Sequence, residues 1–473
     1  MRVCLVLEGS YPYVRGGVSS WTHDFIQRFS DLEFVIWAID AQKERRGIYK
    51  YELPSNVVAI HEVFLDEAIE SQMETTDKNQ LSDAEMEAML SLMKFENPDW
   101  ARLFECFNAK QTNAAAFLRS EQFLRVFKQM CAEKYPHSAF YELFYTFRSM
   151  LLPLLYILKQ PVPEADVYHA LAAGYSGVLG SMAAWKNKNS LIVTEHGIYS
   201  REREEEILRS RWVKPNFKDM WIAFFHMLSR CVYDNADEVT SLYDKARQIQ
   251  IEIGCPADKT SVINNGVHCD KFEHIPSRKR EDGYIDIGAV VRIAPIKDIR
   301  TMICAYAELR HQMNNVRLHI LGDVDDEEYD AECKALIAQM ETPDVYFHGT
   351  VDVVEYLAKF DFTILTSISE SQPLAVVEAM AAGKSCVVTD VGSCRTLVEG
   401  AEGDKLGRAG LCIPPMHPEA LTEAMMYLCT HPEERLEMGA VGRKRANESY
   451  TSERMIKQYK KVYERVSNGW NRI

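Results

Sequence analysis

Short apolar runs alternate with amphipathic helical stretches along most of the chain, and this alternation restricts the fold more than any other feature. VCLVL (3–7), EFVIWAI (33–39), NVVAI (56–60), DVYHA (166–170), SLIVTE (190–195), EVTSL (238–242) and KTSVI (259–263) form a first set of candidate strands. Patterns such as VSSWTHDFIQRF (18–29) separate them with helical periodicity. Strands joined through helices need crossover connections, which build a parallel sheet with helices on both faces. A second set follows: YIDIGAVV (284–291), RLHILG (317–322), DVYFHG (344–349), DFTIL (361–365), SCVVTD (385–390) and LCIP (411–414), with helices such as TMICAYAELRHQM (301–313) between them. The polar stretch IPSRKREDG (275–283) reads as a linker. The expectation is an α/β protein of two doubly wound domains, 1–278 and 283–450, with a final helix in 451–473 packing back on the first.

Residues 65–160 interrupt the pattern. They begin acidic (LDEAIESQMETTDKNQLSDAEMEAML) and turn rich in Phe, Leu and Met, with clear helical periodicity in FLRSEQFLRVFKQM (117–130). This is a helical insertion in the first domain, and substrate specificity, partner docking and structural decoration all remain open for it. The most apolar window, MLLPLLYIL (150–158), is half a membrane span and contains Pro153, so it reads as a buried helix. The N-terminal MRVCLVLEG has too short an apolar run for a signal-peptide core and reads as a first strand. A net charge of −15 argues against a nucleic-acid backbone as partner, though not against a local basic pocket for a phosphate. Twelve cysteines are scattered without metal spacing, as reduced core thiols would be.

Several strand ends carry groups suited to anions and sugars. In LEGSYPYVRGGVSSW (7–21) a strand leads through Gly16-Gly17 into a helix. Glycines allow close backbone approach and a helix N-terminus favours an anion; a tight turn without a ligand is the alternative. His196 directly follows a strand in VTEHGIYSRERE (193–204), at the carboxyl edge where open α/β sheets bind ligands, with Arg201 and Arg203 close behind. A satisfied structural histidine and solvated arginines are the alternatives. In VVRIAPIKDIR (290–300), Arg292 and Lys297 flank the approach to a helix and together suit a diphosphate. The Asp-x-Asp in GDVDDEEYD (322–330) resembles a Mg²⁺ motif but reads as an acidic turn opening a helix, so no metal site is assigned.

The stretch SISESQPLAVVEAM (367–380) holds Glu370 before a helix and Glu378 inside it. Pro373 suits the first turn, which leaves the N–H groups of Leu374 and Ala375 as free donors for a phosphate. A carboxylate near a packed surface needs donors, and sugar and ribose hydroxyls supply them. Two acids favourable to a helix N-terminus are the alternative.

The ordered set of Gly-Gly loop, strand-end His196, Arg292…Lys297 and Glu370-x7-Glu378 followed by AMAAGKSCVVTDVGS resembles the retaining glycosyltransferases of family 4, which have the GT-B fold. INNGVHCDKF (263–272) sits where such proteins leave the first domain. More narrowly, LEGSYPYVRGGVSSW, DVYHALAAGYSG (166–177) and TEHGIYSRERE are similar to the PelF-like glycosyltransferases of Pel exopolysaccharide systems. The resemblance implies two Rossmann-like domains facing a cleft. It implies that Arg292, Lys297 and the N–H groups of Leu374 and Ala375 hold the donor diphosphate, Glu378 the ribose and Glu370 the donor sugar. It places His348, Gly349, Thr350 and Val351 near the base, Gly16 and Gly17 at the diphosphate or acceptor, His196 at the reacting centre, and His169 and Arg201 on the acceptor side. Two positions depart from the family: Asp298 stands where Gly is common, and Gln372-Pro373 replaces a Gly/Phe-containing stretch.

What the resemblance implies is metal-independent, retaining transfer from a UDP-sugar to a growing polysaccharide. UDP-glucose is the first donor choice and UDP-N-acetylhexosamine the second. The implied setting is cytoplasmic, with no membrane span in the chain, no cofactor beyond the nucleotide sugar, and inner-membrane Pel components as partners. A phosphorylase or epimerase on the same fold, and a nucleotide-sugar-binding regulatory subunit of a membrane synthase, are the competing readings.

Overall fold

Each of the thirteen apolar runs forms a strand in the computed structural model, which describes residues 1–70, 80–275 and 282–469. The chain divides into two units, Met1–Val262 with Tyr459–Ile473, and Ile263–Gln458. In the first unit β1 (Arg2–Glu8), β2 (Glu33–Asp40), β3 (Val57–Phe64), β4 (Val167–Ala170), β5 (Ser190–Glu195), β6 (Glu238–Ser241) and β7 (Thr260–Val262) form one sheet in the order β3-β2-β1-β4-β5-β6-β7. All neighbours are parallel; Val3 of β1 faces Phe34 on one side and Val167 on the other. In the second unit β8 (Ile285–Val290), β9 (Val316–Leu321), β10 (Val345–Gly349), β11 (Phe362–Leu365), β12 (Ser385–Thr389) and β13 (Gly410–Ile413) run in the order β10-β9-β8-β11-β12-β13, again all parallel. Both are Rossmann-like α/β units. The central strands are apolar on both faces because helices cover both sides.

Strand order reverses between β1 and β4 in the first sheet and between β8 and β11 in the second. At such a switch point the loops leaving the two strands turn to opposite faces and open a crevice at the carboxyl edge. The Gly16-Gly17 loop leaves β1, Arg292 and Lys297 follow β8, and Glu370 follows β11.

The divide falls at Val262/Ile263 rather than in the segment 275–283, of which residues 276–281 lie outside the described ones. Residues beyond Val262 are fastened within the second unit. The Asn265 N–H donates to Gln372 Oε1 (2.8 Å), the Gln372 amide donates to the Asn265 carbonyl (3.0 Å), and the Val267 N–H donates to the Tyr450 carbonyl (2.9 Å). The last helix, Ser452–Gly469, contributes Tyr459, Tyr463 and Val466 to the first unit's buried residues. Residues 470–473 of the expected terminal segment lie outside the described ones.

The insertion is helical and shares the first unit's continuous core: Phe104, Leu154 and Phe147 belong to the same buried cluster as Val6 and Trp37. Of its acidic beginning, 65–90, residues 71–79 lie outside the described ones. A capping box at Ser82, in which Glu85 accepts from the Ser82 N–H, starts the helix Asp83–Met93. The periodic stretch 117–130 is two helices, Ala114–Phe117 and Glu121–Lys134, because Ser120 caps the second through the Phe123 N–H (3.1 Å). The window 150–158 lies in the helix Phe140–Leu158, Pro153 included, and seven of its nine residues are buried. No helix among the described residues is long and apolar enough to cross a membrane. All twelve cysteines are free thiols.

His169 on β4 is fully buried, and both ring nitrogens are engaged: Nδ1 with the Tyr463 hydroxyl (2.7 Å) and Nε2 with the Thr194 hydroxyl (2.8 Å). Replacing Tyr463 with Phe strands that nitrogen. Tyr463→Phe is expected to lower stability by about 1–3 kcal/mol, read as a lower urea midpoint with an unchanged m-value.

Candidate functional site

The loops after β8 and β11 meet in one connected polar cluster. The Lys297 ammonium lies 2.5 Å from Glu370 Oε1, and both side chains are largely buried. The Ser367 hydroxyl donates to the same oxygen (2.6 Å). The loops are stitched by the Ile368 N–H on the Ile296 carbonyl (2.9 Å) and by the Thr366 hydroxyl on the Lys297 and Asp298 carbonyls (2.9 and 3.1 Å). Glu370 is therefore held by a cation and a hydroxyl of its own unit. Gly392, at φ +55°, abuts this loop: a Cβ there would stand 2.1 Å from the Glu370 carbonyl oxygen. Asp298 adopts φ 47°, the left-handed region that favours glycine, and its side chain caps the next helix through the Thr301 N–H (3.3 Å).

Arg292 is half exposed and ion-paired with Asp325. The Asp-x-Asp stretch is thus tied to the site through this arginine, while Asp326 caps the helix Glu327–Gln339 by accepting from the Tyr329 N–H (2.9 Å). That is an acidic helix-opening turn, with one acid placed on a cation of the site.

The helix Leu374–Ala381 starts with Pro373 at its N-cap and no side-chain cap. Among the described residues the N–H groups of Leu374 and Ala375 have no hydrogen-bond acceptor, so they remain the open donors that a helix N-terminus presents. Glu378 is half-buried on this helix, and among the described residues no group hydrogen-bonds to its carboxylate. Burial pushes its carboxyl up to about 7, and Lys271 pulls it down only in part. Lys271 belongs to the short 3₁₀ turn Cys269–Phe272.

His348, the penultimate residue of β10, lies in a chain of side-chain contacts within the second unit. Its Nδ1 faces the Tyr356 hydroxyl (3.2 Å), its Nε2 faces His319 Nδ1 (3.0 Å), and His319 Nε2 faces Asp286 Oδ1 (3.1 Å). Burial, His319 and Lys359 lower its pKa. His348 is thereby engaged by protein partners on both nitrogens. The Gly349 carbonyl accepts from the Gly322 N–H (2.9 Å), Thr350 is exposed and Val351 packs on the core.

In the first unit, Gly16 and Gly17 open the helix Gly17–Arg28 without a side-chain cap, and a Cβ at either would meet nothing within 4 Å. His196 follows β5, with its ring edge-on to Trp21 (centroids 4.6 Å apart). Its Nε2 is buried without a partner among the described residues, and burial lowers the imidazole to about 4, so it is neutral at pH 7. Arg201 is exposed, with no ion pair among the described residues; Arg203 stacks over Tyr199 at 5.2 Å. His169 does not reach an acceptor surface. It is a core residue, and burial, then the nearby His196, push it down to about 3.

Three side chains at these edges escaped the sequence reading. Glu8 ends β1 and accepts from the Tyr199 hydroxyl and the Ser176 N–H (both 3.2 Å). Glu195 ends β5 and accepts from the Tyr199 N–H (3.0 Å), the Tyr233 hydroxyl (2.7 Å) and the Gln250 amide (2.8 Å). Burial raises both carboxyls. Lys271 is the third; Gln372, read from the sequence as a departure from the family, is the clamp on Asn265. An acid as the last residue of an apolar strand is the one signal that could have flagged Glu8 and Glu195.

Residues 1–258 match the family described as a domain of unknown function, DUF3492, and residues 285–431 match the family described as glycosyl transferases group 1. The chain is 25% identical over 280 residues to MMP alpha-(1->4)-mannosyltransferase of Mycolicibacterium hassiacum, covering 58% of this chain and 65% of that protein. It is 27% identical over 232 residues to D-inositol 3-phosphate glycosyltransferase of Pseudarthrobacter chlorophenolicus, covering 46% and 54%. The matches thus span 65% and 54% of the length of these relatives. Anabaena HepE, solved in complex with UDP and also with UDP-glucose, shares the fold: for the UDP complex the TM-score is 0.62 at 14% identity, over 98% of this chain and 100% of that one. Sucrose-phosphate synthase from Thermosynechococcus elongatus gives 0.60 at 16% identity over 99% of both. Both likenesses show the fold, that of GT-B structures.

Glu378 makes stability depend on pH. Its folded-state pKa lies above the ordinary 4.5, so folding favours the protonated acid, and this contribution is lost as pH rises from 4.5 through about 7. Glu378→Gln is expected to raise stability by roughly 1–3 kcal/mol at about pH 8, with the gain vanishing near pH 4. Denaturant melts at both pH values check it.

Proposed function

On the premise that the chain belongs to the DUF3492 family through residues 1–258, with a glycosyl transferases group 1 match over 285–431, we propose that it is a retaining hexosyltransferase using a UDP-sugar. One observation carries this reading: Lys297 and Glu370, the open N–H groups of Leu374 and Ala375, and the unpartnered carboxyl of Glu378 all follow the two strands of the second unit's switch point. A nucleoside diphosphate bearing a sugar satisfies them together. Its diphosphate takes the Lys297 ammonium and the helix N–H groups, with Arg292 exchanging Asp325 for a phosphate oxygen. Lys297 then releases Glu370, whose carboxylate accepts from donor-sugar hydroxyls. The ribose hydroxyls donate to Glu378, which ionises against them.

The leaving diphosphate gains negative charge as the glycosidic bond breaks, and fixed cations and N–H dipoles stabilise that charge without reorganising. They do so in this reading without a metal. In the first unit, His196 carries a neutral imidazole, able to hydrogen-bond a hydroxyl without adding charge. Retention follows from departure and attack on one face of the donor sugar.

The UDP and UDP-glucose complexes of HepE support a uridine donor, and UDP-glucose is the first sugar we assign, with UDP-N-acetylhexosamine second. The PelF-like stretches support a growing Pel-type exopolysaccharide as acceptor and membrane-bound Pel components as partners.

Turnover tests the reading. UDP release from UDP-glucose and UDP-N-acetylglucosamine, with an oligosaccharide acceptor, is expected to fall on the order of a hundred- to a thousandfold in Glu370→Gln while UDP binding persists. Near-normal turnover in that variant contradicts the role of Glu370. Binding without turnover in the wild-type protein points instead to a nucleotide-sugar-binding subunit.

A further inference from the structure

The segment LRSRWVKPNFK (208–218) carries four basic residues and no acid in a chain of net charge −15. It joins the helices Tyr199–Arg209 and Lys218–Asn235 of the first unit. Leu208 and Trp212 point to solvent there, while Trp221 beneath, edge-on at 5.3 Å, is buried. The Lys214 ammonium reaches Glu142 (2.6 Å) on the helix Phe140–Leu158, whose first turns expose Phe140, Tyr141 and Tyr145. These five apolar and aromatic side chains are between 46% and 71% exposed, a concentration of large apolar surface that a soluble protein rarely leaves uncovered.

We propose that this face docks the protein on an anionic phospholipid bilayer. Trp and Tyr settle at the headgroup level, with an apolar body inward and a polar tip outward, and flanking Arg and Lys meet the lipid phosphates. The charges are arranged for that partner. Arg211, next to Trp212, has no ion pair among the described residues, and Lys218 donates to the Leu208 carbonyl (2.5 Å). Glu142 and Glu205 stand against Lys214 and Arg209 (2.6 and 3.5 Å), and Glu206 against Arg203 (2.5 Å), which leaves Arg211 as the cation beside Trp212 for a lipid phosphate. The net charge of −15 opposes an anionic surface, so attachment needs a face that combines local positive charge with exposed aromatic side chains. Direct lipid contact of this kind is independent of the transfer reaction.

The test is co-sedimentation of the full chain with vesicles of phosphatidylcholine alone and of phosphatidylcholine with about one third phosphatidylglycerol. The wild-type protein is expected to bind the anionic vesicles, weakly the neutral ones, and less at high salt. Arg211→Glu and Trp212→Ala are each expected to weaken that binding roughly tenfold or more, with UDP binding and the urea midpoint unchanged. Absence of binding to anionic vesicles overturns the proposal, as does binding that both variants retain. Concentration-dependent self-association abolished by Trp212→Ala also overturns it and assigns the face to a second copy of the chain.

Discussion

Every strand in both sheets runs parallel to its neighbours, and the placement of the polar loops follows from that constraint. A parallel sheet cannot close through hairpins, so each connection crosses a face, as one or more α-helices everywhere except between β2 and β3, and every strand of a sheet ends at the same edge. The strand order reverses once in each sheet, and at that reversal two loops part and leave their backbones open. Arg292, Lys297 and Glu370 come from the two loops at this point in the second unit; Gly16 and Gly17 come from the first unit's equivalent loop.

Much of this was legible in the sequence, because strand periodicity and helix periodicity are local signals. The apolar runs and the helix-opening Pro373 declare themselves within a few residues. The pairings do not. Lys297 and Glu370 are 73 residues apart, and nothing local says that one neutralises the other. Asp298 looked like a departure from a glycine position; its φ of 47° shows that the backbone keeps the left-handed turn and the side chain becomes a cap. Gln372 also looked like a substitution within the site, yet its amide clamps the backbone of Asn265, 107 residues away. His169 misled for the opposite reason. Its motif pointed to a ligand, but a histidine in the middle of a parallel sheet finds hydroxyl partners on the adjacent strand and on the terminal helix.

Two carboxylates set the electrostatics of the second unit's loops. A buried ion pair gains little net stability after desolvation, so Lys297 and Glu370 are weak as a structural device and effective as a pair of exchangeable contacts. Glu378 has no donor of its own among the described residues and pays for burial with a raised pKa. In the proposed function both features lose their penalty to the hydroxyls and the diphosphate of the donor. In the first unit the same logic keeps His196 neutral, with a buried nitrogen free for a hydroxyl.

Calorimetric titration with UDP, GDP and ADP, in EDTA and then with Mg²⁺, addresses the central claim most directly. The account predicts UDP-selective binding in EDTA that is lost in Lys297→Ala and strongly weakened in Arg292→Ala. No binding of any nucleotide, or UDP binding that survives both substitutions, would contradict it.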